Sequence, residues 1–249
     1  MDDSKKIKSL SVIIPAFNEE VIIEASISLL DDKLKSIAQD YEIIVIDDGS
    51  SDKTLTILKK LASKINELKI IHNNTNQGLG TSLRKGFSIA SKDLVFYTDA
   101  DLPIDYDEIY GAVKILEDSK TDFLTAFRYN RTSEPVYRII LSFVYNWLIR
   151  FLFRIQIKDV NFSFKLIKRD ILKKLNLKSE GSFIDAEMII KAIYLGYKIK
   201  QIGTTYFPRK KGHSTLAVPR DILKILDEMI KYYREIIKIR KENTKIFNS

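Results

Sequence analysis

Two carboxylates separated by one residue, Asp99 and Asp101, directly follow the apolar run Leu94–Thr98. That run is predicted to form a buried strand, so both acids are expected where the strand ends. On a turning backbone they can share one hard divalent ion, Mg²⁺ or Mn²⁺, which would neutralise a diphosphate leaving group. An Asp-x-Asp pair is also common as a solvated turn, and the pair alone does not decide between these interpretations.

A second acidic turn, Asp47–Asp52, follows the apolar run Glu42–Ile46. A carboxylate in this position can accept hydrogen bonds from a base edge or from ribose hydroxyls, and Asp48 is the preferred candidate for such a contact. Ser51 or Asp52 can instead cap the next helix, and we predict a structural role for Asp52.

Strands and helices alternate in the first hundred residues, which predicts a mainly parallel α/β sheet with right-handed crossovers. Ligands bind such sheets beyond the carboxyl ends of the strands. The strands are predicted at 10–14, 42–46, 68–71 and 94–98, and a helix at 78–90. The polar clusters that follow these strands are Pro15–Glu19, Asp47–Asp52, Asn76–Gly78 and Asp99–Asp101.

The second half of the chain is organised differently. An aromatic-rich amphipathic helix is predicted at 135–153, and a basic amphipathic helix begins at Pro219, with apolar residues three and four apart. Further strands are predicted at 122–127, 162–167 and 198–202, and another helix at 183–195.

The composition predicts a packed core, and the net charge favours an anionic partner. The chain has 249 residues, a formal net charge of +8 and no cysteine, so thiolate metal sites are excluded.

No helix-turn-helix, zinc-finger or RNA-stacking signature is present, and a nucleic-acid partner is not expected. The first strand is followed neither by Gly-x-Gly-x-x-Gly nor by a glycine-rich phosphate loop, which argues against a dehydrogenase and a nucleotidyltransferase. The apolar run Ile139–Phe153 contains Asn146 and Arg150, so peripheral membrane contact is expected rather than a span.

Four ordered blocks resemble family 2 of the inverting glycosyltransferases, whose GT-A fold joins a Rossmann-like nucleotide half to an acceptor half. The blocks are Ser11–Glu20, Val45–Thr54, Asn76–Gly78 and Asp99–Asp101. The resemblance implies one GT-A domain over 1–215, with a nucleotide half at about 8–104, an acceptor half at about 105–215, and a basic helix at 216–249.

Later segments resemble the polyprenyl-phosphate sugar synthases, which include dolichol-phosphate mannose and glucose synthases. The segments are 127–131, 159–166, 183–187 and 209–214, together with Arg138, Ser142 and Asn146. This resemblance implies transfer of a hexose from a GDP- or UDP-sugar to a polyprenyl phosphate with inversion, at the cytoplasmic face of a membrane. The sequence departs from the family pattern at two places. Ser163 stands where a glycine is usual, and Leu102–Asp105 is not the commonest sequence after Asp99–Asp101.

Site residues are carried over from the same resemblance. It implies a nucleotide-sugar site, a metal site at Asp99 and Asp101, and an acceptor-phosphate site. The nucleotide-sugar residues would be Pro15, Phe17, Glu19, Asp47, Asp48, Asn76, Gly78, Asp99, Ala100, Arg209 and Ser214. The acceptor-phosphate residues would be Arg128, Arg131, Arg138 and Ser142. Guanidinium groups do grip phosphate bidentately, although a solvated basic face has the same composition.

The acceptor determines whether a base is needed. An alcohol must lose its proton as it attacks, whereas a lipid phosphate is already an oxyanion near neutral pH. If the acceptor is instead a glycan or lipid hydroxyl, Asp185 and Glu187 are the candidate catalytic bases. They would act in addition to Asp101, whose predicted catalytic role is to hold the metal ion. The same two acids can also serve simply as the acidic first turn of a helix.

Overall fold

The structure is a computed structural model that describes residues 6–101, 107–129, 136–205 and 219–247. Three residues predicted to bind phosphate groups, Arg131, Arg209 and Ser214, lie outside the described residues, and so does the segment Leu102–Asp105.

Seven strands form one sheet in the order β3-β2-β1-β4-β6-β5-β7. All pairs are parallel except those of β6, which runs antiparallel to both β4 and β5. The predicted mainly parallel α/β sheet is therefore confirmed, with one reversed strand. The strands are β1 Ile7–Ala16, β2 Ala38–Asp47, β3 Leu68–His72, β4 Leu94–Tyr97, β5 Phe123–Arg128, β6 Lys165–Lys168 and β7 Ile199–Thr204.

Eight helices are present in the described part of the chain, and two of them, α4 and α6, were not predicted. The helices are α1 Ile23–Ile37, α2 Thr54–Ala62, α3 Leu79–Ile89, α4 Asp107–Asp118, α5 Val136–Phe153, α6 Arg169–Lys174, α7 Ile184–Tyr194 and α8 Pro219–Phe247. The predicted helices at 135–153 and from Pro219 match α5 and α8 closely.

The sheet separates two apolar layers. The first is formed by α1, α2 and α4, and includes Leu30 and Leu58. The second is formed by α3, α5, α6, α7 and α8. In that second layer α8 buries Met229, Tyr232 and Ile236, so the C-terminal helix packs against the domain through its apolar face.

The reversed direction of β6 brings a distant segment to the functional edge of the sheet. Lys165, the first residue of β6, pairs with Tyr97 near the end of β4 and with Thr125 in β5. Since β4 and β5 end at this edge, the residues just before Lys165 lie beside those just after Tyr97. The edge therefore combines parts of both halves of the chain.

One described helix, α5, is long and apolar enough to span a membrane by length and composition alone. Asn146, Ile149 and Phe153 on one side of the helix are buried against the domain. Most of its large apolar residues are exposed instead: Val136, Tyr137, Ile140, Leu141, Phe143, Val144, Trp147 and Phe151. The helix is thus anchored along one side and presents an apolar surface on the other.

Candidate active site

The acidic pair lies where β4 ends, as the sequence predicted. Ser163 donates a hydrogen bond from Oγ to Asp99 Oδ2 at 2.6 Å. Burial and the charge of Asp101 raise the pKa of Asp99 to about 7, against the opposing effects of Ser163 and Lys165. Ser163 and Lys165 therefore offset only part of the cost of burying a charged Asp99.

Beside the acidic pair is a buried ion pair between Lys165 and Asp185. Lys165 Nζ lies 2.5 Å from Asp185 Oδ1, and both side chains are almost completely buried. Lys165 also donates to the Phe162 carbonyl at 2.8 Å. Burial raises the pKa of Asp185, while Lys165 acts in the opposite direction. Asp185 thus lies close to the acidic pair, but its charge is already matched by a cation.

The donor atoms at this edge suit Mg²⁺ or Mn²⁺, since both ions prefer carboxylate oxygens and readily share phosphate and water ligands. Within the described ranges no group of three or more His, Asp or Glu side chains is placed to hold a metal ion. Asp99 and Asp101 remain the predicted ligands among the described residues, and substrate or water would have to fill the other positions.

Asp48, predicted to contact the nucleoside, organises the neighbouring turn. Its carboxylate accepts hydrogen bonds from Asn73 Nδ2 at 2.7 Å and from the backbone N–H groups of Gln77 and Gly78, each at 2.9 Å. Gly78 has a φ of 90°, a conformation that glycine adopts without strain. Asp48 therefore fixes the turn at Asn76–Gly78, and Asn76 itself is exposed at its rim.

Asp47 is also engaged within the protein. It is fully buried, and Oδ2 lies 2.7 Å from His72 Nδ1. Its other oxygen accepts a hydrogen bond from the backbone N–H of Ser50 at 3.3 Å. Its predicted contact with the nucleotide sugar has no direct support in this arrangement, because both oxygens face protein donors.

The turn after β1 interlocks with the turn after β2. The backbone N–H of Glu19 donates to Thr54 Oγ1 at 2.8 Å, and that of Asn18 donates to Ser50 Oγ at 2.9 Å. Asp52 accepts from the backbone N–H of Thr54 at 2.9 Å, as its predicted structural role requires. Pro15 and Phe17 are both partly exposed along this brace, whereas Ala100 is buried beside the acidic pair.

A cavity of about 280 Å³ opens between the end of β5 and α5. Arg128 lies in its wall and is fixed by Asp159, with Nε 2.8 Å from Oδ2. Lys158 Nζ stands 4.1 Å from the centre of the Phe127 ring. Its lining therefore combines cations with apolar side chains: Phe127, Arg128, Ile139, Phe143, Asn146, Arg150, Lys158 and Asp159.

Asn146 connects this cavity to α5. Its Oδ1 accepts a hydrogen bond from the backbone N–H of Val160 at 2.9 Å, and its Nδ2 donates to the Ser142 carbonyl at 2.8 Å. Arg138 and Ser142 precede Asn146 by two turns and one turn of the same helix. The predicted phosphate residues of α5 therefore share one helical face with a residue of the cavity wall.

Glu187, a candidate base, is fully buried. Its carboxylate accepts the backbone N–H groups of Lys178 and Ser179, at 2.9 Å for the shortest bond to each, and lies 2.6 Å from Lys191 Nζ. These contacts describe a structural carboxylate, and the prediction that Glu187 acts as a base has no support in this geometry.

Four residues of the site were not assigned from the sequence: Arg150, Lys158, Ser163 and Lys165. The unusual serine at position 163 was a detectable signal, but its hydrogen bond to Asp99 depends on the direction of β6. Lys165 was hidden because a lysine in an apolar strand is not expected to be fully buried.

Comparison with known proteins finds a matching family and relatives that cover most of this chain. A family model described as Glycosyl transferase family 2 matches residues 11–176. The chain is 28% identical over 234 residues to glycosyltransferase AglD of Haloferax volcanii, covering 91% of this chain and 37% of that protein. It is 29% identical over 240 residues to the dolichol-phosphate mannosyltransferase of Pyrococcus furiosus, covering 93% and 66%. The chain thus spans less than two thirds of the length of these relatives.

Solved structures show the same fold at low sequence identity. Glucosyl-3-phosphoglycerate synthase from Mycobacterium tuberculosis, in complex with UDP, superposes with a TM-score of 0.60 at 20% identity, covering 93% of this chain and 78% of that one. Mannosyltransferase PcManGT from Pyrobaculum calidifontis, in complex with GDP-Man and Mn²⁺, gives 0.61 at 19% identity, covering 91% and 66%. With the family match extending over most of the sheet and its acidic edge, the chain belongs to glycosyl transferase family 2.

Proposed function

We propose that the protein transfers one hexose from a nucleotide-diphosphate sugar, of the GDP-mannose or UDP-glucose type, to a polyprenyl phosphate with inversion. The names of several relatives support this acceptor class, among them the dodecaprenyl-phosphate galacturonate synthase of Rhizobium johnstonii, 29% identical over 220 residues, covering 88% of this chain and 64% of that protein. The observation that carries the proposal is the short segment that connects the acidic pair to the basic cavity.

This connecting segment runs from Asp159 to Ser163. Asp159 holds Arg128 in the cavity wall, and Ser163 holds Asp99 at the acidic pair. Four residues of extended chain reach at most about 14 Å. This limit makes the cavity and the acidic pair neighbouring sites, with opposite charges on the two sides of the segment, and in the proposed reaction the transferred sugar lies between them.

On the donor side, Asp99 and Asp101 would hold Mg²⁺ or Mn²⁺, which supplies positive charge to the departing nucleoside diphosphate. Two related folds were solved with Mn²⁺ and a nucleotide sugar, UDP-glucose in one and GDP-Man in the other. Ser163 keeps Asp99 oriented toward the edge. Arg209 and Ser214, outside the described residues, would complete the diphosphate site.

On the acceptor side, the lipid phosphate would bind in the basic cavity. Arg128 has its guanidinium plane fixed by Asp159, while Arg150 and Lys158 add charge from two other directions. Arg131, Arg138 and Ser142 would extend the site toward α5. Since the phosphate is already an oxyanion, correct positioning for in-line attack would suffice, and that attack would invert the anomeric centre.

The exposed apolar face of α5 supports the proposal of peripheral contact with a membrane, and we place this contact at the cytoplasmic face of that membrane. Trp147 stacks on Phe151 with ring centres 5.4 Å apart, and both rings are more than half exposed. Aromatic side chains of this kind favour the headgroup region of a bilayer. A prenyl tail leaving the cavity along Ile139 and Phe143 would then enter the same apolar layer.

Transfer of a labelled hexose from GDP-mannose or UDP-glucose to a polyprenyl phosphate in liposomes tests the proposal. Lys158→Ala should raise the KM for the lipid phosphate roughly tenfold while the KM for the donor stays unchanged, because one charge-assisted contact is lost. Lys174→Ala, an exposed lysine of α6, is the matched control. Transfer only to a soluble glycan, or equal effects of both variants, would refute the assigned acceptor.

The alternative acceptor is a glycan or lipid hydroxyl, with Asp185 as base. The raised pKa of Asp185 favours it, since a base works best with a pKa near the operating pH. Its ion pair with Lys165 opposes it. Asp185→Asn separates the two: loss of transfer to hydroxyls, together with the loss of one limb of the pH–rate profile, would establish the alternative.

A further inference from the structure

The segment Lys178–Gly181, called here the clasp loop, packs directly against the start of α3. The backbone N–H of Thr81 donates to the Glu180 carbonyl at 3.1 Å. A Cβ placed on Gly78 would lie only 2.6 Å from the same carbonyl oxygen. The clasp loop therefore limits where the turn at Asn76–Gly78 can lie, and this is the turn that Asp48 binds from the other side.

Two carboxylates from different helices bind the backbone of the clasp loop. Glu187 of α7 accepts the N–H groups of Lys178 and Ser179. Glu228 of α8 accepts the N–H groups of Glu180 at 2.6 Å and Gly181 at 2.8 Å. Four successive backbone donors are thus bound by the protein's own acidic side chains. Carboxylate acceptors of this kind make strong, short hydrogen bonds.

The two carboxylates differ in how they are supported. Glu187 is fully buried and lies 2.6 Å from the buried Lys191. Glu228 is partly exposed on α8, a helix that begins more than thirty residues after the clasp loop. Tyr232, one turn further along α8, also contacts the loop by donating to the Lys178 carbonyl at 3.2 Å. The position of α8 is therefore transmitted to the clasp loop through hydrogen bonds.

We propose that Glu228 is a positioning residue for the donor site: it holds the Glu180 carbonyl against Gly78 and so sets the turn that borders the nucleotide. The inference rests on the proposed function, in which this turn lines the nucleotide-sugar site. Glu228 does not touch the donor itself. Its effect reaches the donor through the clasp loop and the start of α3, and the C-terminal helix becomes part of the nucleotide-binding apparatus.

A simpler explanation is that Glu228 only attaches α8 to the domain. Glu235 on the same helix is the matched control, because it contacts the same loop through the Lys178 side chain at 2.8 Å, and within the described part of the chain it accepts no backbone N–H of that loop. Loosening α8 in general would make the two variants alike. A positioning role predicts that only the variant at Glu228 changes the donor site.

Two measurements on the full chain test the proposal. The first is binding of GDP and of UDP, each with Mn²⁺, by titration calorimetry. Glu228→Ala should weaken binding of the preferred nucleotide roughly tenfold, within the usual range of coupling between linked sites. Glu228→Gln keeps a carbonyl acceptor and should recover affinity to within about threefold. Donor KM should follow the affinity, with kcat little changed.

The second measurement is hydrogen exchange of the backbone N–H groups of Gln77 and Gly78 without nucleotide. Glu228→Ala should raise their exchange about tenfold, because the turn loses its support. Glu235→Ala should leave them unchanged. Where Glu228→Ala does not fold, Glu228→Asp serves instead, since both N–H groups donate to the same oxygen, Oε1, and a side chain one methylene shorter should lengthen both hydrogen bonds.

Wild-type affinity and exchange in the Glu228 variants would overturn the proposal, and so would equal losses in Glu228→Ala and Glu235→Ala. A faster exchange at Gln77 and Gly78 with unaltered nucleotide affinity would also overturn it. If the wild-type protein bound neither GDP nor UDP while exchange still responded to Glu228, the proposed function would fail and the positioning of the turn would stand.

Discussion

The pKa values of buried carboxylates are shifted in opposite directions in two regions of this protein. In the first half, Glu42 meets Lys69, Ser11 and Ser91, and these hydrogen bonds outweigh the effect of burial and lower its pKa to about 2. Where β4 meets β6, burial dominates instead, and it raises the pKa of both Asp99 and Asp185. In the region of Glu42, hydrogen-bond donors surround the carboxylate, whereas where β4 meets β6 several carboxylates lie close together.

We expect this difference to separate structural carboxylates from reactive ones. Asp48 and Asp52 accept hydrogen bonds from backbone N–H groups and so fix the local course of the chain. Burial and the neighbouring charge of Asp101 raise the pKa of Asp99 to about 7. Carboxylates whose pKa is perturbed in this way concentrate at functional sites, and we expect a bound ligand to supply the compensating charge.

The largest expected effect comes from removing one of the closely spaced carboxylates where β4 meets β6. Asp101→Ala should reduce metal-dependent transfer by at least about 100-fold, since charge stabilisation at the departing diphosphate is lost. Relief of like-charge repulsion should leave the melting temperature at or slightly above that of the wild type. Initial rates with Mn²⁺ and a thermal melt measure the two quantities.

Asp52→Ala is the control from the first half, because its carboxylate only braces a turn. The substitution should cost about 1 kcal/mol of folding stability, because the hydrogen bonds from the backbone N–H groups of Thr54 and Glu20 are lost, while transfer continues. If Asp101→Ala transferred sugar at the wild-type rate, the proposed difference between structural carboxylates such as Asp52 and the carboxylates after β4 would be wrong.

A smaller effect, on stability, is expected from breaking the buried ion pair beside the acidic pair. Lys165→Met leaves Asp185 buried without its cation and should lower the free energy of unfolding by about 4 kcal/mol. The double variant Lys165→Met/Asp185→Leu should recover much of that loss, because no buried charge remains. Urea unfolding at neutral pH measures both variants, and additive losses in the double variant would contradict the assigned pair.

The smallest effect concerns acid stability through Glu42. Its folded-state pKa of about 2 lies below the ordinary value of 4.5. Its contribution is therefore complete above about pH 4.5, and is lost as the pH falls toward 2. The full difference is about 3 kcal/mol, of which about 2 kcal/mol is gone by pH 3.

Urea unfolding of the wild type and Glu42→Gln between pH 6 and pH 3 measures this contribution. The gap between the two proteins should narrow as the pH falls, because protonation of Glu42 in the unfolded state removes the advantage. A gap that stays constant over this range would show that Glu42 keeps its ordinary pKa.

The sequence predicted the parallel strands well because buried β-branched runs and polar turns repeat four times in the first half. It also placed Asp99 and Asp101 correctly at a strand end. It did not reveal the antiparallel direction of β6, since strand direction depends on where the chain returns and not on local residue pattern. For the same reason, the bond from Ser163 to Asp99 and the burial of Lys165 were not predictable from periodicity.

Helix α4 was missed although its buried residues Ile109, Val113 and Leu116 lie three and four apart, which is the spacing of a helix. Helix α6 was missed because six residues are too few for a clear helical period. The structural use of Glu187 was also hidden. Its partners are backbone N–H groups, which a sequence does not distinguish from one position to another.

The placement of β6 constrains how the protein can be synthesised. A nascent chain that has emerged only as far as Phe153 contains β4 and β5, but not the strand that must lie between them. Both strands then expose unpaired edges, which attract wrong partners. We expect the growing chain to acquire protease resistance at this edge of the sheet only after Lys168 has left the ribosome, however early the first three strands pair.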